Sequence, residues 1–349
     1  MAYNAYLNPL TEQQWQEDVH IQELRDHWRS HNGKESNFAS GRLRIALTER
    51  CNFACPFCYN EGANGVTAQL SYDDVKMILA AAGPYIKSVK LTGGEPLAHP
   101  EFPQIAMLAS QQWPTSVTTN GALLLRNLDA LRSLESTTVS IQSVRQADYT
   151  ALMGTRHKVS ETLHDIRVAC NEGIRCRVNC VVMRRNLRDV ASLCLAAVSA
   201  GVEVVSLLGM LKLSQADTET AVGLAEVAEE LVPLLGEPTV VSATRLRFVI
   251  SPSTSVELVY QYCTVGCDVC RTDGFIRIGA NRSLSFCLAS APIALGPALD
   301  RGDLGHLRAL IQTGVRQMGT PTGSADPVII PRISRGGKVV SGGSKGRTE

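Results

Sequence analysis

The sequence predicts an α/β protein: a partial (β/α)6 barrel of the TIM type followed by a small C-terminal β-containing domain. Two observations predict it. Short apolar segments alternate with amphipathic stretches from Leu43 to Leu208, and after about Gly236 this alternation gives way to β-leaning sequence. The strand candidates are Leu43–Leu47, Ser88–Leu91, Ser116–Thr119, Thr138–Ile141, Arg177–Val182 and Val204–Leu208. Between them lie helical stretches at Tyr72–Ala82, Glu101–Gln111, Leu128–Leu134, Val159–Asn171 and Val190–Ala200. Strands separated by helices read as βα units of one parallel sheet. Right-handed crossovers curl such units into a full or partial barrel, with ligands at the C-terminal strand ends.

The flanks are less regular. Residues 1–40 are polar and helix-leaning from Glu12 to Arg29, then loosen at His31-Asn32-Gly33-Lys34, and read as an N-terminal extension. The barrel is expected over 41–240. Residues 241–318 form the second domain, with β-leaning stretches at Leu246–Ile250, Phe275–Ile278 and Leu284–Phe286. Residues 319–349, rich in Gly, Ser and Pro, are expected to form a flexible tail.

Composition narrows the function. Of 349 residues, 44% are hydrophobic and 19% charged, which suits a globular protein with a sizeable core. Aromatics at 5% and a net charge of +1 argue against a nucleic-acid polymer or a membrane surface as partner. No apolar run is long enough to span a bilayer, and the polar start Met1–Asn8 is no signal peptide, so a cytoplasmic location is expected. In a reducing cytosol the eleven cysteines point to metal binding rather than disulfides.

Cys51, Cys55 and Cys58 stand in Cys-Asn-Phe-Ala-Cys-Pro-Phe-Cys-Tyr, directly after the first strand. The spacing lets one loop place three thiolates around a cubane [4Fe–4S] cluster, which normally takes four. One iron is then left open to bind and reduce a small molecule, which points to an enzyme. A zinc site would usually close with four N/S ligands, often as paired Cys-x-x-Cys units. Leu91-Thr92-Gly93-Gly94-Glu95-Pro96 follows the second strand, where Gly93 and Gly94 allow close backbone approach and Glu95 can accept a hydrogen bond from an ammonium group.

With these motifs the chain resembles the radical S-adenosylmethionine (SAM) superfamily over roughly residues 42–290. The resemblance implies that the open iron chelates the amino and carboxylate groups of SAM. Reductive cleavage then yields methionine and a 5'-deoxyadenosyl radical that abstracts hydrogen from the substrate. An external electron donor of the flavodoxin or ferredoxin type is implied as partner. A narrower resemblance is to the molybdenum-cofactor GTP 3',8-cyclases. There, cysteines like Cys267, Cys270 and Cys287 hold a second [4Fe–4S] cluster facing the substrate, which makes residues 241–318 an auxiliary-cluster domain. Cys263, four residues before Cys267, is a candidate fourth ligand. The same resemblance places Phe57, Gly93, Gly94, Glu95, Ser140 and Met210 at cofactor-contacting positions. It places Arg44, Lys90, Thr118, Arg177 and Arg277 at substrate-contacting ones. On a strand, Arg177 and Asn179 share one face. Cys170, Cys176, Cys180 and Cys194 lack ligand spacing and read as ordinary buried thiols.

Departures from the cyclase pattern matter as much. Sixteen residues rather than thirteen separate Cys270 from Cys287. Asn-Arg-x-Arg becomes Arg-Thr-Asp-Gly-Phe-Ile-Arg, which removes one of two guanidiniums. The Gly-Gly pairs at 336–337 and 342–343 lie well before the terminus. A smaller set of cations suits fewer charges than a triphosphate. The expected substrate is therefore a small polar molecule, a nucleoside or sugar acid of specialised (antibiotic) metabolism. Lyase chemistry such as cytosylglucuronate-type decarboxylation would suit it. The alternatives are the GTP 3',8-cyclase itself and a peptide-modifying radical SAM enzyme.

Overall fold

A computed structural model describes residues 19–31, 40–58, 68–210, 220–287 and 291–318. The expected tail, residues 1–18 and 32–39 of the expected extension, and the two Gly-Gly pairs lie outside the described residues.

Six parallel strands follow one another as neighbours: β1 (Arg42–Ala46), β2 (Ser88–Thr92), β3 (Thr115–Thr119), β4 (Ser136–Ser140), β5 (Cys176–Val181) and β6 (Val204–Leu208). Their side chains alternate sharply. Leu43, Ile45, Val89, Leu91, Val117, Val139, Val178, Val205 and Leu207 are buried on the helix-covered face. The opposite face carries Arg42, Arg44, Lys90, Ser116, Thr118, Ser140, Arg177 and Asn179. Barrel interiors of this type are usually filled by branched apolar residues. A polar interior cannot pack dry as a second apolar core, and this inner face is called the lumen below.

The helices follow local signals. Tyr72–Ala82 starts at a capping box in which the Ser71 hydroxyl accepts from Asp74 N (3.1 Å) and the Asp74 carboxylate from Ser71 N (3.0 Å). Arg282 donates to the same Asp74 carboxylate at 2.9 Å, tying the C-terminal part of the chain to this helix.

The C-terminal residues add their strands to both edges of the barrel sheet. β7 (Thr239–Ser242), β8 (Arg245–Ser251) and β9 (Thr254–Val259) extend it beyond β6, with β9 parallel to β6. β10 (Phe275–Gly279), β11 (Ser283–Ser285) and β12 (Ile293–Ala294) extend it beyond β1, with β10 parallel to β1. Among the described residues the parallel sheet thus has eight strands rather than the expected six. Counting βα repeats misses β9 and β10 because neither is reached through a crossover helix of the usual kind. The helix Val19–His31 packs against β7 and Tyr262–Val265, elements near opposite edges of the sheet. No helix among the described residues is long and apolar enough to cross a membrane.

Candidate active site

Cys51, Cys55 and Cys58 lie on the loop leaving β1, at the C-terminal ends of the parallel strands. Cys51 and Cys55 are half-buried and Cys58 is exposed. The loop is bolted down from two directions. Gly94 N donates to Thr48 O (2.6 Å) and Glu95 N to Arg50 O (2.8 Å), while Ala54 N donates to Met153 O (3.3 Å). A Cβ on Gly94 would lie 2.1 Å from Arg50 O, and one on Gly154, at φ +58°, 2.1 Å from Ala54 O. A Cβ on Gly93, at φ +148°, would meet Thr48 O at 2.6 Å. The space left by these missing side chains is filled by the cysteine loop itself.

The thiols sense one another. Burial pushes the Cys55 thiol up to about 12, with Cys58 and Cys51 adding to the shift, and burial likewise raises Cys51. Only a bound cation would hold Cys51 and Cys55 as thiolates near neutral pH. The Cys51 sulfur accepts from Phe53 N at 3.4 Å and from Asn120 Nδ2 at 3.8 Å.

Glu95 is fully buried. Its Oε1 accepts from Leu97 N (2.9 Å) and the Thr119 hydroxyl (2.7 Å), and its Oε2 from Asn120 N (2.8 Å). A carboxylate has about four acceptor positions, so Oε2 keeps room for one more donor. Burial raises the Glu95 carboxyl to about 7, against the pull of those three hydrogen bonds. Asn120 therefore joins Glu95 to the cysteine loop, and its side chain also donates to Asn52 at 2.7 Å. Sequence reasoning singled out Thr118 in Thr-Thr-Asn-Gly and missed Asn120. The signal was the side-chain amide just past the strand end.

The second set of cysteines lies at the other end of the barrel. Cys267 and Cys270 sit on the helix Cys267–Asp273, which leads into the start of β10, and β10 runs parallel to β1. The β10–β11 hairpin then returns the chain, since Arg277 pairs with Ser285, and Cys287 follows. Cys287 comes close enough to Cys267 to raise its thiol, though burial is the larger cause. The hairpin absorbs the long spacing between Cys270 and Cys287. Cys263 lies in the short helix Tyr262–Val265, and its side chain is outside the described ones. The two triads are thus separated by the length of a five-residue strand, roughly 16 Å or more.

Between them the lumen is cationic. Arg44 is in register with Arg277 on one side and Lys90 on the other. Burial, then Arg44, Arg245, Arg177 and Arg42 in that order, push the Lys90 ammonium down to about 7. Arg245 is on β8, far from β2 in strand order, so the sheet curls enough to bring them face to face across the lumen. Among the described residues no carboxylate pairs with Lys90. Glu257 on β9, 2% exposed, is shared by Arg247 (2.7 Å), Arg245 and Arg177 (3.7 Å). That pairing puts Arg177 in the lumen wall rather than at a solvated strand end. Phe275 lies within cation–π distance of Arg277 (4.6 Å) and Arg44 (5.7 Å). Arg42, Arg245, Arg247 and Glu257 carry no motif, and only the strand register exposes them.

The remaining expected positions fall at the lumen's upper rim. Ser140 ends β4 in register with Asn179, Met210 follows β6, and Phe57 packs half-buried between Cys55 and Cys58. Cys176, Cys180 and Cys194 are buried on the helix side, as expected of unligated thiols, and Cys170 is half-buried.

The family model described as Radical SAM superfamily matches residues 45–219, half of the chain. The chain belongs to the radical SAM superfamily. As a radical SAM enzyme it uses a [4Fe–4S] cluster and SAM. Its relatives include the probable GTP 3',8-cyclase of Saccharolobus islandicus, 29% identical over 70% of this chain and 82% of that protein. The probable GTP 3',8-cyclase of Methanocella arvoryzae is 30% identical over 41% of this chain and 48% of that protein. The GTP 3',8-cyclase of Chlorobaculum tepidum is 32% identical over 41% and 45%. The chain thus spans about half the length of the last two. In fold it is similar to Streptococcus suis SuiB bound to S-adenosylmethionine, with a TM-score of 0.60 at 16% identity, covering 85% of this chain and 71% of that one. It is also similar to native anSMEcpe with bound AdoMet, with a TM-score of 0.51 at 12% identity, covering 80% and 84%.

The residues present fit a radical SAM site. Three cysteines whose thiols interact supply the donor set, while no group of three or more His, Cys, Asp or Glu among the described residues converges as a single ion requires. A cubane asks for no such convergence, because each thiolate binds a different iron. The buried Thr118 hydroxyl on the lumen face has no hydrogen-bond partner, an orphan that a bound ligand would satisfy.

Proposed function

We propose that this radical SAM enzyme abstracts hydrogen from a small, multiply anionic substrate held in the lumen between the two cysteine triads. Cys51, Cys55 and Cys58 would hold the cluster that, with SAM, would supply the hydrogen-abstracting radical, and Cys267, Cys270 and Cys287 would hold a second [4Fe–4S] cluster at the other end of the lumen. Glu95 accepts from the ammonium of SAM, and the walls of the lumen exclude water. The observation that carries this reading is the cationic inner face formed by Arg42, Arg44, Lys90, Arg177, Arg245, Arg247 and Arg277, of which Arg177, Arg245 and Arg247 share the carboxylate of Glu257. Charge-assisted contacts of this kind are roughly twice as strong as neutral ones and select phosphate or carboxylate.

A nucleotide or nucleoside sugar acid fits this lumen, and decarboxylation of a sugar acid is one outcome of hydrogen abstraction beside a carboxylate. GTP 3',8-cyclisation is the second reading, favoured by the names of the relatives and by three arginines beyond those the motifs indicate. Phe275, on the lumen face two residues before Arg277, weighs against it where the guanine would be read. Likeness to SuiB, whose structure with precursor peptide SuiA is known, is one of fold and supplies no peptide site here. The test is a deuterium-transfer screen with labelled GTP, nucleoside sugar acids and their neutral counterparts. Label is expected in 5'-deoxyadenosine from the anionic compounds; labelling from neutral nucleosides alone would refute the reading.

Lys90 gives a second, independent check. An oxyanion beside it should restore its proton. Substrate binding at pH 7.5 is expected to take up ~0.5 proton or more, read by calorimetry in buffers of differing ionisation enthalpy. Because the folded-state value is depressed, the unfolded chain binds more protons between about 7 and its ordinary 10.5. The residue's destabilising effect is therefore full below about 7 and fades as pH rises through that window. Lys90→Met should raise the melting temperature at pH 7 and leave it nearly unchanged at pH 10.5.

A further inference from the structure

The helix Val19–His31 belongs to no motif, yet it is docked firmly on the residues around Cys267 and Cys270. Its apolar side, Ile21, Leu24 and Trp28, is buried. Arg25 Nη1 donates to Val265 O at 2.6 Å, and Nη2 to the Asp268 carboxylate at 3.2 Å. Trp28 Nε1 donates to the Thr272 hydroxyl at 3.2 Å, and that hydroxyl donates to Val269 O at 3.1 Å. These contacts span some 240 residues of sequence and bracket the Cys-x-x-Cys pair on both sides. Gly266, immediately before Cys267, has φ +148°, and a Cβ there would lie 2.4 Å from both the Arg25 guanidinium and the Asp268 carboxylate. The guanidinium therefore lies against a residue that only glycine can fill.

We propose that Arg25 and Trp28 are positioning residues for the second cluster, holding the Cys267–Asp273 helix so that Cys267, Cys270 and Cys287 can share it. This rests on the reading of those cysteines as a cluster site. Three facts carry it. Cys267 and Cys270 are three apart on a helix and so point the same way. That helix is seven residues long, too short to be stable alone. Groups behind metal ligands fix ligand orientation, and their loss commonly lowers metal affinity 10- to 100-fold. The helix Val19–His31 thus acts as a clamp on one wall of the barrel's lower end.

The test is anaerobic reconstitution of the full chain, with iron and sulfide counted and iron release to a chelator timed. Wild type is expected to carry about eight irons. Arg25→Ala and Trp28→Phe should carry about four, or release four of eight at least ten-fold faster, with circular dichroism unchanged. Thr272→Val, which removes only the Trp28 acceptor, should speed release of the same four and serves if the larger changes impair folding. A Cys51/Cys55/Cys58 triple-alanine background should show the effect on all the iron that remains. Wild-type iron content and release rates in Arg25→Ala, Trp28→Phe and Thr272→Val would overturn the clamp. A wild type that loads only about four irons would overturn the second-cluster reading itself, and the clamp with it, before any variant is made.

Discussion

Replacing Cys51, Cys55 and Cys58 together by alanine is expected to halve the iron of the reconstituted protein and abolish 5'-deoxyadenosine formation. The iron should fall from about eight to about four per chain, because the Cys267, Cys270 and Cys287 set lies at the opposite end of the barrel. The loss of activity is total because no other described cysteine approaches the lumen's upper rim. Cys176, Cys180 and Cys194 are buried on the far side of the sheet. Retained SAM cleavage in the triple variant, measured by chromatography of the products, would remove the site from this loop.

Almost as large an effect is expected from a single methyl group. Gly94→Ala would set a Cβ 2.1 Å from Arg50 O and 2.5 Å from Arg50 C. These are backbone atoms of the cysteine loop and cannot swing aside like a side-chain tip. Overpacking of this kind typically costs about 1–3 kcal/mol, and the loop can relieve it only by moving its cysteines. A displacement of about 1 Å at a reacting centre can cost 10²-fold in rate. Gly154→Ala pushes the same loop from another strand's helix, against Ala54 O, and adds the strain of a left-handed backbone. Both variants should keep the fold yet lose SAM cleavage about 100-fold or more. Normal turnover in Gly94→Ala would show that the loop is not held where the structure has it.

These glycines also show what the sequence could reveal and what it could not. The Gly-Gly-Glu-Pro motif is legible because it stands one strand after the cysteine loop. Spacing alone suggested that its glycines make room for a ligand. The close approach visible in the structure is that of Thr48 and Arg50, which lie more than forty residues earlier. The six βα strands were legible for a similar reason, since each carries its own alternation of apolar and polar residues. β9 was not, and β10, legible as the β-leaning stretch Phe275–Ile278, gave no sign that it joins the parallel sheet, because the partners β6 and β1 are chosen by long-range pairing that leaves no local trace.

Charge was the hardest to read. Arg44, Lys90, Arg177 and Arg277 stand in recognisable surroundings, and from them the lumen looked poor in cations. Arg245 and Arg247 sit on a hairpin strand with no motif, and Arg42 is two residues from Arg44 on the same strand face. Only the curl of the sheet turns them all toward one space. Glu257 was invisible for the same reason, although it anchors three of those arginines. The N-terminal helix was legible as polar and helical, but its docking site lies some 240 residues away.

The central claim is that a small polyanion is held by this cationic lumen while hydrogen is taken from it. Deuterium transfer in wild type and Lys90→Met tests it most directly. With a labelled nucleotide or nucleoside sugar acid, wild type should place deuterium in 5'-deoxyadenosine. Lys90→Met should still cleave SAM but show transfer efficiency about 10- to 100-fold lower at limiting substrate, the cost of one charge-assisted contact. Equal transfer by the two proteins, or transfer from neutral nucleosides as efficient as from anionic ones, would contradict the account.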